Sequence, residues 1–564
     1  MVRAAAPRWA ECVLVLSFAA HVLVVAPTKV EESFPLTAVR DVVVHGPWAP
    51  QRFDHVEFSG AVPRSFVAPV ALAALASLPL RALAALGLVR DGLDAQITVR
   101  LTLALVSALS LVYLSRSVRS AYGAKVAKYF LVLAATQFHV PFWAGRTLPN
   151  MLAFPLVQVA LALFVAPPSL SSVTKPRPST RTHLLAAFAL LTFAAVVVRL
   201  ELAALLAPFA LEHLARGLVG WRELLVTGVG AAAASLALSF VVDTHFWLSP
   251  TWLWPEGQAF LFNVVEGKSS EWGVSPRSYY FLSALPKLLH LSLVPALFSL
   301  FSDRRTRRLL IPCLAFVALL SGLAHKEWRF VVYVVPAFTV AAAAGVVAVG
   351  AFTASPLLRR ALLLSLLPLN ALQTVLGLAA SSSNYPGASA LSFLEAALPP
   401  SPPGAAPREP WLVHVSPEAK MTGASNFLLA DSPLAEPAGA GAAAGGAGAA
   451  PPAWYLAPRA RGAAAAGEGA PPRVRYDRSE PRSLPWSAYD FALVPSSSSS
   501  SSSSEAEGDL PAGADVLCTA TEFAGWDVRA LLRGEWRRVR REREAVRVVR
   551  LSRGGRTGAV VGGE

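Results

Sequence analysis

Long apolar runs separated by short polar loops dominate the chain up to about residue 380. Several of these runs reach or approach the ~20 residues that one crossing of a bilayer needs. They occupy residues 129–144, 148–166, 184–198, 224–242, 281–300, 309–323, 330–352 and 361–378. The pattern predicts an all-α polytopic membrane protein with about 11–13 membrane segments.

Two places leave the number of segments open. The first apolar run, residues 12–26, follows a basic N-terminus and resembles a signal peptide, but Pro27 follows the best cleavage site. We therefore expect an uncleaved first span. Residues 67–96 must supply two crossings or a re-entrant pair to keep the alternation of loop charges. We expect two short pieces there, broken near Arg81, because a charged side chain in the bilayer is costly.

Short basic hinges indicate which ends of the runs face the cytosol. Residues 303–308, DRRTRR, carry the strongest excess of arginine, and such loops stay on the cytosolic side. Counting apolar runs in both directions from this hinge places residues 28–65, 243–277 and 325–329 on the opposite face. The polar clusters suited to chemistry all fall on this non-cytosolic face.

The chain after about residue 380 has a different composition. It contains strand-like apolar runs at 411–415, 491–494 and 546–551. Low-complexity inserts at 437–471 and 496–508, rich in Gly, Ala, Pro and Ser, interrupt it and cannot bury a core. We therefore predict a membrane domain, 1–380, followed by a small non-cytosolic α+β domain with inserts, 381–564.

Composition and charge narrow the class further. Hydrophobic residues make up 54% and charged residues 15% of the chain, whereas ordinary soluble domains carry about 25% charged residues. A net charge of +14 is compatible with nucleic-acid binding, but the basic residues are scattered in short loops and one tail cluster, 533–553. This distribution favours membrane orientation, so we expect no nucleic-acid partner.

Cysteine and histidine positions give no sign of a metal centre. Cys12 and Cys313 lie in apolar runs, so the three cysteines imply no disulfide framework. The sequence contains no Cys/His cluster with zinc spacing. We expect neither a bound metal nor a cofactor.

Two adjacent carboxylates directly follow the first apolar run. Glu31 and Glu32, in TKVEESF, lie just outside a membrane span, where a carboxylate can serve as a general base towards a hydroxyl. A solvated helix start with acidic residues in its first turn explains the pair as well. The next loop, FDHVEFSGAVPRSF, either binds substrate hydroxyls and supports the base or is a plain interfacial loop with short helices. Its candidate residues are Asp54, His55, Glu57 and Arg64.

Cations at the ends of apolar runs are candidates for binding phosphate. They are Arg146, Arg199 and, in HKEWR, His325, Lys326 and Arg329. Arg binds phosphate through a planar two-pronged contact and Lys as a point charge, whereas snorkelling to the headgroups explains a single Arg equally simply. The loop 251–281 adds Glu256 and the rings of Trp254 and Trp272, which either stack on a sugar or anchor at the interface. Together these groups fit sugar transfer from a lipid-linked phosphate.

Five segments carry a resemblance to a known family. They read TKVEESFPLTAVRDVVVHG, FDHVEFSGAVPRSF, GRTLPNMLAFPLV, WPEGQAFLFNVVEGKSSEWGVSPRSYYFLSALPK and HKEWRFVVYVVPAF. In this order they resemble the lumenal α-mannosyltransferases of the endoplasmic reticulum, glycosyltransferase family 22, from about Thr28 to Tyr385. The resemblance implies the GT-C fold and an active site on the lumenal face of the endoplasmic reticulum membrane.

The resemblance also implies a reaction. The implied donor is dolichyl-phosphate mannose and the implied acceptor is Man7GlcNAc2 dolichyl diphosphate, joined in an α-1,6 linkage with inversion. Relatives carry an acidic pair in the first lumenal loop, which implies Glu31 as the base with Glu32 as its rival. Lys29 before this pair resembles the α-1,6 branch of the family and is a candidate for binding substrate. The cations of the HKE-x-RF motif are implied to bind the donor phosphate.

Two other functions remain open at this stage. Another member of the family, either an α-1,2-mannosyltransferase of the same pathway or a mannosyltransferase of glycosylphosphatidylinositol anchors, carries similar motifs. A non-enzymatic lipid or solute carrier belongs to a different class. Such carriers commonly show internal repeats with matched broken helices, and we find none in the sequence.

Overall fold

The computed structural model describes the chain in segments. They are residues 8–56, 60, 62–89, 91–165, 178–269, 273–352, 356–398, 411–425, 428, 474–477, 485–496, 510, 514–527, 530, 533 and 539–551. Two compact units share the chain. The first unit takes Met1–Val22, Pro47–Leu72 and Arg100–Leu376, and the second takes Leu23–Gly46, Ala73–Val99 and Gly377–Glu564. The predicted division at residue 380 stays a prediction.

Helices dominate the described residues, as predicted. The α-helices are Arg8–Val24, Ser33–His45, Val67–Ala85, Gly92–Tyr122, Ala124–Thr136, His139–Ala144, Pro149–Val165, Pro178–Phe193, Ala203–Ala215, Trp221–Phe246, Pro255–Phe260, Leu285–Leu289, Leu293–Ser302, Arg304–Leu320, Val335–Phe352, Pro356–Ser382, Pro386–Ala397 and Pro417–Met421. Short helical turns are also present in the first predicted lumenal loop, at Pro50–Arg52 and Asp54–Val56.

Several of these helices are suited to crossing a membrane. Within the described residues, six are long and apolar enough: Val67–Ala85, Gly92–Tyr122, Ser179–Val198, Trp221–Phe246, Tyr280–Ser302 and Trp328–Gly350. Shorter apolar helices lie at Trp9–Val24, Pro149–Val165 and Leu366–Ser382. The protein is therefore a multi-pass membrane protein, and the predicted total of about 11–13 segments stays a prediction.

The segment 67–96 differs from its prediction. One α-helix runs through Val67–Ala85 without a break at Arg81, and the next helix, Gly92–Tyr122, follows a turn. The side chain of Arg81 is exposed and donates a hydrogen bond to the carbonyl of Ser77 at 3.3 Å. Because the charge stays on the helix surface, it requires no break, and the prediction of two pieces broken near Arg81 is wrong.

A close contact between two helices of the first unit depends on glycine. Helices Leu293–Ser302 and Val335–Phe352 pack against each other, and Ser299 donates a hydrogen bond across the contact to a backbone carbonyl at 2.7 Å. A Cβ atom on Gly345 would lie 1.9 Å from the carbonyl oxygen of Pro295. Small residues at such contacts let membrane helices pack through their backbones.

The second unit contains a mixed five-stranded sheet, which confirms the predicted small α+β domain. Its strands are β1 (Trp411–Val415), β2 (Val474–Asp477), β3 (Phe491–Pro495), β4 (Asp515–Trp526) and β5 (Arg540–Arg550), in the spatial order β2-β1-β3-β5-β4. Strand β1 pairs in parallel with β2 and β3, whereas β5 runs antiparallel to β3 and β4. Leu391 and Leu394 of helix Pro386–Ala397 pack on the sheet core with Val413 and Val548.

Strand β5 starts earlier than the apolar pattern predicts. Its first half is charged, and two of its arginines pair with one acidic residue of β4 and one that directly follows β4. Arg543 lies 2.6 Å from Glu522, and Arg541 lies 2.7 Å from Asp527. Opposite-charge pairs across an antiparallel ladder stabilise strands that bury no apolar face, so the hairpin extends beyond the hydrophobic core.

Candidate active site

A break between two helices of the first unit positions Arg199. Helix Pro178–Phe193 continues as one π-helical turn, Ala194–Val198, and then unwinds. Arg199 has an extended backbone (φ −153°, ψ 105°), and a 3₁₀ turn, Leu200–Leu202, leads into helix Ala203–Ala215. Irregular turns of these kinds within helices often occur at functional sites.

Glu201 fixes the guanidinium of Arg199. The Nε of Arg199 lies 3.0 Å from both carboxylate oxygens of Glu201, and its Nη2 lies 2.9 Å from Oε2. Asn150 donates a hydrogen bond to the same carboxylate at 2.7 Å, and the hydroxyl of Tyr333 donates another at 3.3 Å. Burial acts to lower the pKa of Arg199, but the negative charges of Glu201 and Glu256 outweigh burial, so the pKa of Arg199 is raised. The arginine is therefore permanently charged and held in one orientation.

Glu256 lies beside the same break. Its Oε2 accepts a hydrogen bond from the backbone N–H of Leu200 at 2.8 Å. Burial raises the pKa of Glu256 to about 7, although Arg199 and that N–H act in the opposite direction. The neighbouring Trp254 is anchored by its indole N–H, which donates to the carbonyl of Val196 at 2.8 Å. Glu256 therefore changes charge near neutral pH at a position next to Arg199.

The HKEWR segment forms a second group of paired charges in the first unit. Glu327 Oε1 lies 3.0 Å from Nε2 of His325 and 2.6 Å from Nη2 of Arg329. His325 and Arg329 both leave part of their side chains exposed. Glu327 therefore orients the side chains of both His325 and Arg329.

Lys326 in the same segment has a different environment. Its Nζ donates to the carbonyl of Ser275 at 2.9 Å and also to the carbonyl of Leu323. Burial, with a smaller contribution from Arg277, lowers the pKa of Lys326. These contacts fasten the loop that precedes Arg329, and the predicted role of Lys326 in binding phosphate stays a prediction.

Arg64 is a further charged residue of the first unit. Burial lowers its pKa, the charge of Arg199 lowers it further, and Glu256 acts against both. Arg329 also contributes to the field at Arg64. Within the described part of the chain, the Arg64 side chain makes no hydrogen bond and no ion pair.

We call this group the arginine cluster. It consists of Arg64, Arg199 and Arg329 with Glu201, Glu256 and Glu327. Arg199 and Arg329 each have a carboxylate partner, whereas Arg64 has none among the described residues. A partly desolvated guanidinium within the electrostatic field of two others is suited to binding an anion through two parallel hydrogen bonds.

Two further predicted residues contact aromatic rings. Arg146 is fully buried, and its guanidinium carbon lies 4.3 Å from the ring centroid of Phe142 and 5.3 Å from that of Trp143. His55 is buried, and its Nε2 lies 2.8 Å from the carbonyl oxygen of Phe246. Burial lowers the pKa of His55, so its ring is neutral at physiological pH. Asp54, beside it, is half-buried.

A carboxylate fixes the end of the predicted lumenal loop that carries Arg64. Asp243, on helix Trp221–Phe246, accepts hydrogen bonds from the backbone N–H of Phe66 at 2.6 Å and from the hydroxyl of Ser65 at 3.1 Å. Ser239, one turn earlier on the helix, donates to the same carboxylate at 2.5 Å. The indole N–H of Trp247 donates to the carbonyl of Arg64 at 2.9 Å. Arg64 therefore lies on a restrained backbone.

The acidic pair of the second unit lies on one 3₁₀ turn, Val30–Glu32. Glu32 is fully buried, and its Oε1 accepts a hydrogen bond from the backbone N–H of Lys29 at 3.0 Å. The Nζ of Lys29 donates to the carbonyl of Asn384 at 2.9 Å and lies 5.1 Å from the ring centroid of Tyr385. Glu31 is exposed and has no hydrogen bond or ion pair within the described residues.

The structure thus groups four of the predicted residues in the arginine cluster: Arg64, Arg199, Glu256 and Arg329. Glu57 and Trp272 lie outside the described residues. The sequence shows Glu201 interrupting the same apolar run as Arg199, but it did not predict that Asn150 and Tyr333 donate hydrogen bonds to Glu201. No group of three or more His, Cys, Asp or Glu suited to a metal occurs in the described part of the chain, and the expectation of no metal or cofactor stays a prediction.

The class of protein follows from the fold. A solved structure of ArnT from Cupriavidus metallidurans bound to undecaprenyl phosphate covers 75% of this chain, and the match covers 85% of that chain. The TM-score is 0.52 at 16% sequence identity, so the likeness concerns the fold alone. The protein has the GT-C fold of membrane glycosyltransferases, as the resemblance implied.

The chain belongs to the Alg9-like mannosyltransferase family, whose model matches residues 9–397. It is 34% identical over 56% of its length to the probable Dol-P-Man:Man(7)GlcNAc(2)-PP-Dol alpha-1,6-mannosyltransferase of Schizosaccharomyces pombe. It is 32% identical over 74% of its length to the Dol-P-Man:Man(7)GlcNAc(2)-PP-Dol alpha-1,6-mannosyltransferase of Drosophila melanogaster. The matches span 53% and 58% of those two relatives. The resemblance to family 22 is thereby confirmed.

Proposed function

We propose that this protein transfers mannose from dolichyl-phosphate mannose to Man7GlcNAc2 dolichyl diphosphate and forms an α-1,6 linkage. The names of its relatives in fission yeast and fly describe this reaction. We place the protein in the endoplasmic reticulum membrane with its active site on the lumenal face. The arginine-rich hinge 303–308 supports this orientation, because such hinges stay in the cytosol.

The observation that carries the proposal is the unpaired cation of the arginine cluster. A cation that is partly removed from water and has no carboxylate partner is costly unless an anion takes that place. Arg64 is such a cation, and Arg199 and Arg329 contribute to its field. The phosphate of a lipid-linked sugar supplies the missing anion and leaves its lipid in the bilayer. No metal is needed in this scheme, because guanidinium groups meet the phosphate charge.

The proposed base is Glu31. Its carboxylate is exposed and has no partner among the described residues, whereas that of Glu32 is buried and accepts the N–H of Lys29. Glu31 takes the proton from the 6-hydroxyl of the acceptor mannose while that oxygen forms a bond to C1 of the donor mannose. The bond from C1 to the phosphate oxygen breaks, and dolichyl phosphate leaves with the electron pair. Attack opposite the leaving group inverts the anomeric centre.

The test combines a null cell with a matched pair of variants. Cells that lack the protein are expected to accumulate Man7GlcNAc2 dolichyl diphosphate, measured by profiling of lipid-linked oligosaccharides. Wild-type protein and Glu266→Gln restore extension, since Glu266 is exposed and, among the described residues, pairs with the nearby Lys268. Glu31→Gln is present in the membrane at normal levels but does not restore extension. Accumulation of a different oligosaccharide in the null cell would contradict the assigned acceptor.

A further inference from the structure

The segment that carries the proposed base is held by distant parts of the second unit. Residues 25–32 contain Glu31, and we call them the base arm. Thr28 in the middle of the arm and Glu32 at its end are both buried. The backbone N–H of Glu32 donates to the carbonyl of Lys29 at 3.0 Å, which closes the turn. The exposed side chain of Glu31 therefore projects from a segment whose backbone is fixed.

Gln96 holds the start of the base arm. This residue lies on helix Gly92–Tyr122 and is fully buried. Its Nε2 donates a hydrogen bond to the carbonyl of Ala26 at 2.9 Å. Its Oε1 accepts a hydrogen bond from the hydroxyl of Ser425 at 2.6 Å. A single buried amide, with its donor and its acceptor both in use, therefore links the base arm to the chain after residue 380.

The turn that carries Ser425 comes close to the base arm through a glycine. Gly423 has φ 113°, a conformation that other residues rarely adopt. A Cβ atom at this position would lie 2.9 Å from the Cβ of Ala388 and 3.4 Å from the Cβ of Pro27. The turn is therefore packed between the base arm and the helix that contains Ala388.

Lys29 holds the other end of the base arm. Its contacts with the carbonyl of Asn384 and the ring of Tyr385 connect the arm to the two residues that precede helix Pro386–Ala397. This helix packs on the core of the five-stranded sheet. The base arm is thus attached at both ends to structure formed by the chain after residue 380.

We propose that Gln96, Ser425 and Lys29 are positioning residues for the base. A general base is effective only when its carboxylate lies within hydrogen-bond reach of the proton that it accepts. The carboxylate of Glu31 has no partner of its own among the described residues, so the backbone of the base arm determines where it lies. The proposal rests on the proposed function, and it makes the chain after residue 380 a requirement for proton transfer.

The first test separates kcat from KM in purified, detergent-solubilised protein. Ser425→Ala and Gln96→Leu each lower kcat roughly 5- to 50-fold, because small displacements of a catalytic group lower rates by up to about 100-fold. KM for the donor and KM for the acceptor stay close to wild type. Ser425→Thr keeps the hydroxyl and recovers most of the rate. The control is Ser496→Ala, which removes a serine hydroxyl of the same unit that donates to Glu544 at 3.0 Å, and its kinetics match wild type.

A double-variant cycle distinguishes positioning from general destabilisation. Ser425→Ala lowers kcat in otherwise wild-type protein. In protein that already carries Glu31→Gln, it changes the residual rate by less than about twofold, because no base remains to be positioned. Long incubations measure this residual rate. An equal fold loss in both backgrounds would contradict a role that acts through Glu31.

Hydrogen exchange follows the base arm without turnover. In Ser425→Ala, the amide protons of residues 29–34 exchange roughly 2- to 10-fold faster than in wild type, as the loss of one hydrogen bond predicts. Ser496→Ala leaves their exchange unchanged. If wild type transfers mannose but exchange or kcat is unaltered in Ser425→Ala and Gln96→Leu, the positioning role is wrong and the proposed function stands. If wild type transfers no mannose, the proposed function fails and the positioning role fails with it.

Discussion

Two ionisable sites, one in each unit, are held in opposite ways. In the first unit, Arg199 and Arg329 are each fixed by a carboxylate, and Glu201 has three donors around it. In the second unit, Glu31 projects from a single turn with no partner among the described residues. Arg199 and Arg329 are therefore held in place, whereas the carboxylate of Glu31 stays accessible.

This difference corresponds to two different chemical demands. A site for a phosphate needs fixed charges, because preorganised groups do not have to reorient as the leaving group develops charge. A general base needs an accessible carboxylate that can approach a hydroxyl and accept its proton. The buried Glu32 accepts the N–H of Lys29 and so fixes the turn that carries Glu31, the proposed base. These two environments predict which substitutions the protein tolerates and which it does not.

The largest expected effect separates the two neighbouring glutamates. Glu31→Gln should lower kcat by roughly 10²- to 10⁴-fold, because general bases contribute about that much. Glu32→Gln should stay near wild type, since its amide oxygen still accepts the N–H of Lys29, whereas Glu32→Ala loses this hydrogen bond and lowers kcat. Rates in microsomes, normalised to protein in the membrane, check this. A severe loss in Glu32→Gln with an active Glu31→Gln would reverse the assignment.

The next effect concerns the unpaired cation. Arg64→Ala should raise KM for dolichyl-phosphate mannose roughly 10- to 100-fold, because hydrogen bonds to charged groups contribute about 1.5–3 kcal/mol. Arg64→Lys should recover part of the loss, since Lys offers a point charge without the two-pronged geometry. Arg81→Ala, which removes an exposed arginine, serves as the control. An unchanged donor KM in Arg64→Ala would remove Arg64 from the phosphate site.

A stability test examines the packing that holds the first unit rigid. Gly345→Ala should lower the free energy of unfolding by about 1–3 kcal/mol, the usual cost of overpacking, because its Cβ would overlap the carbonyl of Pro295. Gly230→Ala is the matched helical control, since a Cβ there meets nothing within 4 Å. Thermal unfolding in detergent measures both. Equal unfolding midpoints for the two variants would show that the added methyl group at Gly345 does not destabilise the helix contact.

The smallest effect is a pH dependence at Glu256. Because the pKa of Glu256 is raised to about 7, raising the pH through 7 adds a negative charge to the arginine cluster. The affinity for the donor phosphate should then fall, so KM for the donor rises severalfold between about pH 6 and pH 8. Glu256→Gln should give a flatter profile over the same range. Identical profiles in the two proteins would place Glu256 outside the field of the donor site.

The sequence predicted elements whose apolar pattern is local. The apolar membrane runs and β1 follow from hydrophobicity, and the HKEWR segment is recognisable as a charged group at the end of a span. The partners of Glu201 were not predictable, because Asn150 and Tyr333 are far away in sequence and each reads as an ordinary polar residue in an apolar run. The charged half of β5 was missed for a related reason, since its stability comes from ion pairs with another strand.

The carboxylate of Asp243 has a consequence for biogenesis. Its partner Phe66 lies 177 residues earlier in the chain and is synthesised well before the helix that carries Asp243. Until these segments meet, the helix holds a carboxylate without its N–H donor at the membrane, which is costly. Docking of the earlier loop therefore completes the hydrogen bonding of a later span, which before that step has only Ser239 of its own helix as a donor to the acid.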